Sequence, residues 1–141
     1  MSDTSVPLRR ARQRLALIWF IGALPLFLFV LVLSLTAPQD GAPVWSWFLP
    51  TVMPNLSLIV GVWVSESRSG GAQDGPADGF TYRITAGLSV FYLLIIAALF
   101  LLHPYYEQGL EAWLRASQPW LAALQGLVSL AMGAFYVQRS A

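Results

Sequence analysis

Four long segments of the chain contain no charged residue, and they constrain the fold more than any other feature of the sequence. They are residues 15–36, 44–65, 84–102 and 119–138, each about 19 to 22 residues long. At a rise of about 1.5 Å per residue, a helix of that length spans the roughly 30 Å hydrocarbon core of a bilayer. None of the four has the polar face that a helix in a soluble bundle needs. The sequence therefore predicts an all-α membrane protein with four transmembrane helices.

The charged residues lie outside these segments, and their positions predict an orientation. They make up 11% of the chain, against about 25% in a typical soluble domain. All eight basic residues are arginines, and only Arg115 falls on the opposite side of the membrane from the other seven. By the positive-inside rule, the arginine-rich side is cytoplasmic. We therefore expect an up-down bundle with N- and C-termini in the cytoplasm, in which residues 1–141 form a single integral membrane domain.

The amino-acid usage also indicates a source and a first partner. Eight arginines without any lysine suit a GC-rich genome, and the loops between the spans are compact. We therefore expect the protein in the cytoplasmic (inner) membrane of a bacterium, with the lipid bilayer as its first partner. A net charge of +1 gives no reason to expect binding to nucleic acid.

The three connections differ in character. Residues 37–43 are a short outer turn, which predicts that the first two spans are antiparallel neighbours. Residues 66–83 are rich in Gly, Ser and Asp, so we expect a flexible cytosolic loop there, with docking of a partner as the alternative. In residues 104–117, charged residues recur every four positions with apolar residues between them, which predicts a short amphipathic helix on the outer membrane surface.

Aromatic residues cluster near both ends of the spans. Trp and Tyr rings favour the headgroup level of a bilayer, so we interpret these residues as two interfacial belts and not as a cofactor site. The outer belt would contain Trp45, Trp47, Tyr105, Tyr106, Trp113 and Trp120, and the inner belt Trp19, Trp63, Tyr82 and Tyr136.

The spans lack the residues that carry most membrane chemistry. No acidic residue, basic residue or histidine lies in any of them, and the chain has no cysteine. Proton-coupled transport, haem ligation and intramembrane hydrolysis need a titratable group, an axial ligand or an activated nucleophile there. We therefore predict a protein that is not an enzyme, with no catalytic residue, no cofactor and no metal site.

Neutral polar residues lie at similar depths in three of the spans. Counted along the helix axis, Asn55 and Tyr92 lie about 15 to 16 Å from the outer ends of their spans, near the middle of the bilayer. Thr51 and Gln125 lie about one turn further out. We predict that these four side chains form a polar layer, which either joins the helices by hydrogen bonds or lines a pore or small cavity.

Two further patterns concern helix shape and packing. Pro50 and Pro54 each remove a backbone donor and crowd the carbonyl group four residues earlier, which predicts a hinge in the second span. Small residues also recur at intervals of three or four, a spacing that lets helix backbones approach closely in lipid, within one bundle or between subunits. This seam comprises Ala122, Gly126, Ser129 and Gly133 in the fourth span, with Ser57 and Gly61 in the second.

Arginines are concentrated just before the first span. Near a membrane surface, each arginine attracts anionic lipid by about 1 kcal/mol. We expect these residues to set the topology, with contact to lipid headgroups or to a partner as a second role. They are Arg9, Arg10, Arg12 and Arg14.

Two functions fit these features. The first is a non-enzymatic multi-pass protein that acts by helix association, as an assembly factor, anchor or complex subunit, with itself or another membrane protein as its partner. The second is an oligomeric pore or membrane effector in which the proline-containing second helix lines the conduit. The seam of small residues favours the first function, and Asn55 beside the prolines favours the second.

Overall fold

Four long helices make up almost all of the described chain. The structure, a computed structural model, describes residues 7–68, 76–105, 107 and 109–137, and of Asp40 only the backbone. All four helices are long and apolar enough to cross a membrane. The prediction of an all-helical, multi-pass membrane protein is thus confirmed, while the side on which the termini lie stays a prediction. The helices are α1 (Leu8–Thr36), α2 (Pro38–Arg68), α3 (Gly79–Leu102) and α4 (Leu110–Val137), with a 3-10 turn at His103–Tyr105.

Most side chains in the spans are exposed or only partly buried in the bundle. In the most apolar stretch of each helix, only 28 to 39% of the residues are buried. The exposed residues are mostly apolar and include Ile21, Leu94 and Leu130, which are 68, 63 and 72% exposed. An apolar surface of this extent is unfavourable in water but needs no cover in hydrocarbon. The bilayer is therefore the solvent that this surface fits.

Each helix contacts two neighbours, and the order of helices around the bundle is α1, α2, α4, α3. At the end that we call the arginine-rich end, Arg12 near the start of α1 contacts Glu66 in α2 and Tyr136 in α4. At the opposite end, Trp113 Nε1 near the start of α4 donates to the Leu99 carbonyl group near the end of α3, at 2.9 Å. The first two helices are antiparallel neighbours, as predicted, whereas α2 and α4 lie side by side in the same direction.

The connection from α2 to α3 joins two helices that are not neighbours around the bundle. The predicted loop at 66–83 is shorter than expected, since α2 continues to Arg68 and α3 begins at Gly79. Residues 69–75, where we expected flexibility, lie outside the described residues.

Asp78 forms the N-cap of α3 at the end of this connection. Its carboxylate accepts hydrogen bonds from the backbone N–H groups of Phe80 (3.2 Å) and Thr81 (3.4 Å). The Thr81 hydroxyl also donates to it, and these bonds lower the pKa of the Asp78 carboxyl group below its usual value. The N-cap satisfies N–H groups that the first turn of a helix leaves without partners.

The two connections at the opposite end differ from the predictions. α2 begins at Pro38, directly after Ala37, so most of the predicted turn at 37–43 is helical. The separate surface helix predicted for 104–117 is wrong, because residues 110–117 form the first turns of α4, which continues through Pro119. The reason is packing: Leu114 and Ser117 are only 1 and 2% exposed, since this segment lies against the bundle and not on the lipid surface.

Three residues that we assigned to the aromatic belts lie in the core. Trp19, Trp47 and Tyr136 are 0, 3 and 6% exposed. Trp19 packs against Tyr92 with 6.1 Å between ring centroids, and Trp47 packs against Phe100 at 5.6 Å. These rings fill space between helices, where they gain more contacts than at the headgroups. The members that are exposed include Trp63, Tyr105 and Trp120, and Tyr106 lies outside the described residues.

Arg12 joins three helices at the arginine-rich end. Its guanidinium group pairs with the Glu66 carboxylate, donates to the Tyr136 carbonyl group at 2.8 Å, and lies 5.9 Å from the centre of the Tyr136 ring. The Arg12 side chain is 15% exposed, whereas Arg9, Arg10 and Arg14 are exposed. The Tyr136 carbonyl group belongs to the last turn of α4, which lacks helical donors and favours a cation.

We expect Arg12→Gln to lower the free energy of unfolding by about 2 kcal/mol, because it leaves the partly buried Glu66 carboxylate without its charged partner. Unfolding in mixed micelles, titrated with sodium dodecyl sulfate, measures this loss. Arg14→Gln removes the same charge from an exposed position of the same helix and should be nearly neutral. Equal losses in the two variants would contradict a specific role for Arg12.

Candidate functional site

The predicted polar layer draws its residues from three helices. Thr51 and Asn55 lie one turn apart on α2, Tyr92 lies on α3, and Gln125 lies on α4. Thr51, Asn55 and Tyr92 are 7, 1 and 0% exposed, and Gln125 is half-buried. Buried polar groups in an apolar bundle need hydrogen-bond partners, so the contacts of each residue decide what the layer can do.

Gln125 compensates for a backbone donor that a proline removes. Pro54 has no N–H group, so the Pro50 carbonyl group, four residues earlier in α2, lacks its helical donor. Gln125 Nε2 donates to this carbonyl oxygen at 2.8 Å. An unsatisfied carbonyl group in hydrocarbon costs several kcal/mol. The Gln125 side chain of α4 therefore replaces the hydrogen bond that Pro54 cannot donate within α2. The same bond holds the two helices together.

Tyr92 contacts the same part of α2 from the other side of the bundle. Its hydroxyl group donates to the Thr51 carbonyl oxygen at 2.9 Å. The Thr51 hydroxyl group donates to the Trp47 carbonyl oxygen within α2, at 2.6 Å. Side chains from α3 and α4 thus support one stretch of α2 backbone, and the hydrogen bonds join three helices.

Asn55 forms a second contact between α2 and α4. Its Oδ1 atom accepts a hydrogen bond from Ser129 Oγ at 2.8 Å. The Nδ2 atom is buried and has no hydrogen-bond partner among the described residues. Among the described residues of a single chain, Asn55 therefore uses only part of its hydrogen-bonding capacity.

Two members of the polar network were not recognised as such from the sequence. We placed Ser129 only in the seam of small residues, although it follows Gln125 by one turn and therefore lies on the same side of α4. Thr85, which is fully buried in α3, donates to the Ala131 carbonyl oxygen of α4 at 3.2 Å. The signal in both cases is a hydroxyl group within an apolar span.

The two prolines of the predicted hinge lie on the surface of α2. The helix continues through both of them from Pro38 to Arg68, and their side chains are exposed. Whatever the shape of the helix, the prolines act on its hydrogen bonding, and the hinge itself stays a prediction.

The seam of small residues faces outward over much of its length. A Cβ atom added to Gly126 or Gly133 on α4, or to Gly61 on α2, would meet no atom within 4 Å. These glycines are therefore not needed for packing within one chain. The exposed members of the seam are Ser57, Gly61, Ala122 and Gly126.

Gly22, in contrast to the glycines of the seam, is needed for close packing between two helices of the same bundle. A Cβ atom added to Gly22 on α1 would lie 2.6 Å from Cδ1 of Leu93 on α3, a distance too short for two carbon atoms. The bundle thus uses some small residues to bring its own helices together, and it leaves those of the seam uncovered.

A groove between α2 and α4, which we call the α2–α4 cleft, includes Ala122 of the seam in its lining. Near the middle of the helices it contains a cavity of about 140 Å³ that Pro50 and Ala122 line. Towards the opposite end it contains a cavity of about 450 Å³ that Ser46 lines. Trp47 and Gln118 line both cavities. The cleft therefore extends from the first turns of α4 to the polar layer.

Other evidence about the site is limited to two findings. Among the residues that the structure describes, no three His, Asp or Glu side chains form a group that could hold a metal ion. Comparisons with protein-family models, curated proteins and solved structures found no match for the chain. The function must therefore follow from the geometry of the bundle.

We expect Gln125→Leu to lower the free energy of unfolding by about 1 kcal/mol, because the Pro50 carbonyl group loses its donor. Pro54→Ala restores a backbone N–H at position 54, which can bond to that carbonyl group. In the Pro54→Ala background, Gln125→Leu should therefore lower the free energy of unfolding by less than half as much as it does in the wild-type chain.

A double-mutant cycle measured by sodium dodecyl sulfate titration tests this coupling. Gln118→Leu, at an exposed position two turns before Gln125 on the same face of α4, controls for the loss of an amide and should show no coupling to Pro54→Ala. If the effects of Gln125→Leu and Pro54→Ala were simply additive, the compensation would be ruled out.

Proposed function

We propose that this multi-pass membrane protein is not an enzyme and acts by helix association, as an assembly factor, anchor or subunit of a membrane complex. The α2–α4 cleft with its small-residue seam is the docking surface, and a second copy of the chain is its occupant. The observation that carries the proposal is the open space over Gly61 and Gly126 on neighbouring, parallel helices. The arginine distribution favours the cytoplasmic membrane of a bacterium, with both termini in the cytoplasm.

The physics of association in lipid supports this choice of surface. Helices gain nothing there from leaving hydrocarbon, so they associate through close packing and hydrogen bonds between helices. Small residues let a partner helix approach the backbone, while large ones keep it away. The exposed face of α1, with residues such as Ile21, Leu24 and Leu28, consists mostly of large residues. The α2–α4 face is therefore the better surface for close contact.

The direction of α2 and α4 supports a second copy as the partner. Both helices run from the opposite end to the arginine-rich end, and both carry small residues at intervals of three or four. A two-fold axis along the membrane normal would place α2 of one copy against α4 of the other, with all four helices parallel. Such a self-complementary interface is the commonest in homo-oligomers. It also keeps both copies in the same topology.

The pore hypothesis has weaker support. It needs polar groups that face a conduit, whereas Gln125 and Tyr92 donate to carbonyl groups of α2. To line a pore, these side chains would have to give up bonds that are costly to lose in hydrocarbon. The Nδ2 atom of Asn55, which has no hydrogen-bond partner in the described part of the chain, is a feature that favours a conduit.

We expect Gly126→Leu to weaken self-association by about tenfold or more, because the larger side chain separates the two seams. The folded chain itself should be unaffected, since a Cβ atom at this position meets nothing within 4 Å. Energy transfer between labelled copies in vesicles, with the lipid-to-protein ratio varied, measures the change.

Gly87→Leu on α3 provides the matched control, because that glycine is also exposed and also has nothing within 4 Å of its Cβ position. It should leave association unchanged. If Gly126→Leu and Gly87→Leu behaved alike, the α2–α4 face would not be the docking surface.

Release of a dye trapped in vesicles distinguishes association from a pore. We expect no release by the wild-type chain and a loss of stability in Asn55→Leu, since that change removes the acceptor of the Ser129 hydroxyl group. Release by the wild-type chain that Asn55→Leu abolishes, with the fold intact, would replace association by conduction as the function.

A further inference from the structure

We infer that a second site, between α1 and α2 at the arginine-rich end, binds the headgroup phosphate of an anionic phospholipid. A cavity of about 560 Å³ opens there between the two helices. Arg9, Gln13 and Leu17 line it from α1 and follow one another at intervals of four, so they share one helix face. Trp63 and Glu66 line it from α2.

The charges around the cavity favour an anion. Glu66 is already paired with Arg12, whose guanidinium group also donates to the Tyr136 carbonyl group. Arg9 is exposed and forms no ion pair with any residue in the described ranges. Among the described residues, one positive charge is thus left without an acidic partner at the rim of the cavity, on a side chain that can reach a ligand.

The donors on α1 match the chemistry of a phosphodiester. A guanidinium group binds phosphate through paired N–H groups, and it does so more strongly than a neutral donor. The Gln13 amide, one turn further into the bundle, offers two further N–H groups on the same face. A phosphate between Arg9 and Gln13 would receive hydrogen bonds from both.

The deeper part of the cavity indicates a lipid and not a soluble anion. Leu17 lies two turns beyond Arg9, about 12 Å further along the helix axis, and its side chain is 55% exposed. Trp63 is 41% exposed and packs against Phe20 at 6.0 Å between ring centroids. The site thus has a cationic rim above an apolar wall, which is the order of groups in a phospholipid that lies along the bundle.

The headgroup should carry a net negative charge. A zwitterionic lipid would bring an ammonium group close to Arg9, while the one carboxylate that lines the cavity is already engaged by Arg12. Phosphatidylglycerol has the same phosphate without the ammonium group. This site lies between α1 and α2, on the other side of α2 from the α2–α4 cleft, so it does not depend on the proposed self-association.

The test compares Arg9→Gln with Arg10→Gln, a neighbouring arginine that is also exposed but does not line the cavity. The full chain in detergent is titrated with dioleoylphosphatidylglycerol, dioleoylphosphatidylcholine or sodium phosphate, and native mass spectrometry counts the bound molecules. We expect phosphatidylglycerol to bind the wild-type chain and Arg10→Gln alike, and to bind Arg9→Gln about fivefold more weakly. Gln13→Leu should also weaken binding without any change of charge.

Three outcomes would overturn the assignment. Equal weakening in Arg9→Gln and Arg10→Gln would mean that the arginines act only as a diffuse surface charge. Equal binding of phosphatidylcholine and phosphatidylglycerol would exclude the preference for an anionic headgroup. Binding of sodium phosphate as tight as that of phosphatidylglycerol would assign the site to a soluble anion, and the apolar wall would have no role.

Discussion

A backbone in hydrocarbon must find its hydrogen-bond partners within the protein, and α2 meets this constraint although three prolines lie inside it, after the one at its first position. The middle of the bundle is arranged around this requirement. Gln125 donates to the Pro50 carbonyl group that Pro54 has left without a donor, and Tyr92 donates to the adjacent Thr51 carbonyl group. The main role of the polar layer is therefore to donate hydrogen bonds to backbone carbonyl groups of α2. It fixes the depth at which α3 and α4 pack, because each donor reaches only one stretch of backbone.

The order of helices around the bundle places α2 and α3 diagonally opposite each other. A chain that simply turned back at each end would place α3 beside α2, and every neighbouring pair would be antiparallel. The observed order instead places α4 beside α2 in the same direction, so that their exposed small residues lie on two neighbouring, parallel helices. At the arginine-rich end, Arg12 holds the ends of α1, α2 and α4 together. The arrangement leaves the α2–α4 face uncovered and separates it from the cavity between α1 and α2.

Much of this structure follows from the sequence, and the exceptions have a common cause. Length and the absence of charge predict the four spans, and counting residues along the helix axis predicts that Asn55, Tyr92 and Gln125 lie at similar depths. The side of each helix that faces a neighbour cannot be predicted in the same way, because lipid and core are equally apolar. For this reason the burial of Trp19 and Trp47 was missed, as was the bond from Ser129 to Asn55. The prediction of a surface helix at 104–117 is wrong for a related reason, since apolar residues in this segment can pack against a bundle as well as against a membrane surface.

The bond between Gln125 and Pro50 also has a consequence for the order of synthesis. The α1–α2 hairpin is made first, and it enters the membrane with a carbonyl group whose donor lies in the last helix of the chain. Until α4 is inserted, the Pro50 carbonyl group of this hairpin must accept a hydrogen bond from water or from another polar group. The last helix thus supplies a hydrogen bond that the first hairpin needs. A chain that ends before α4 would lack that donor.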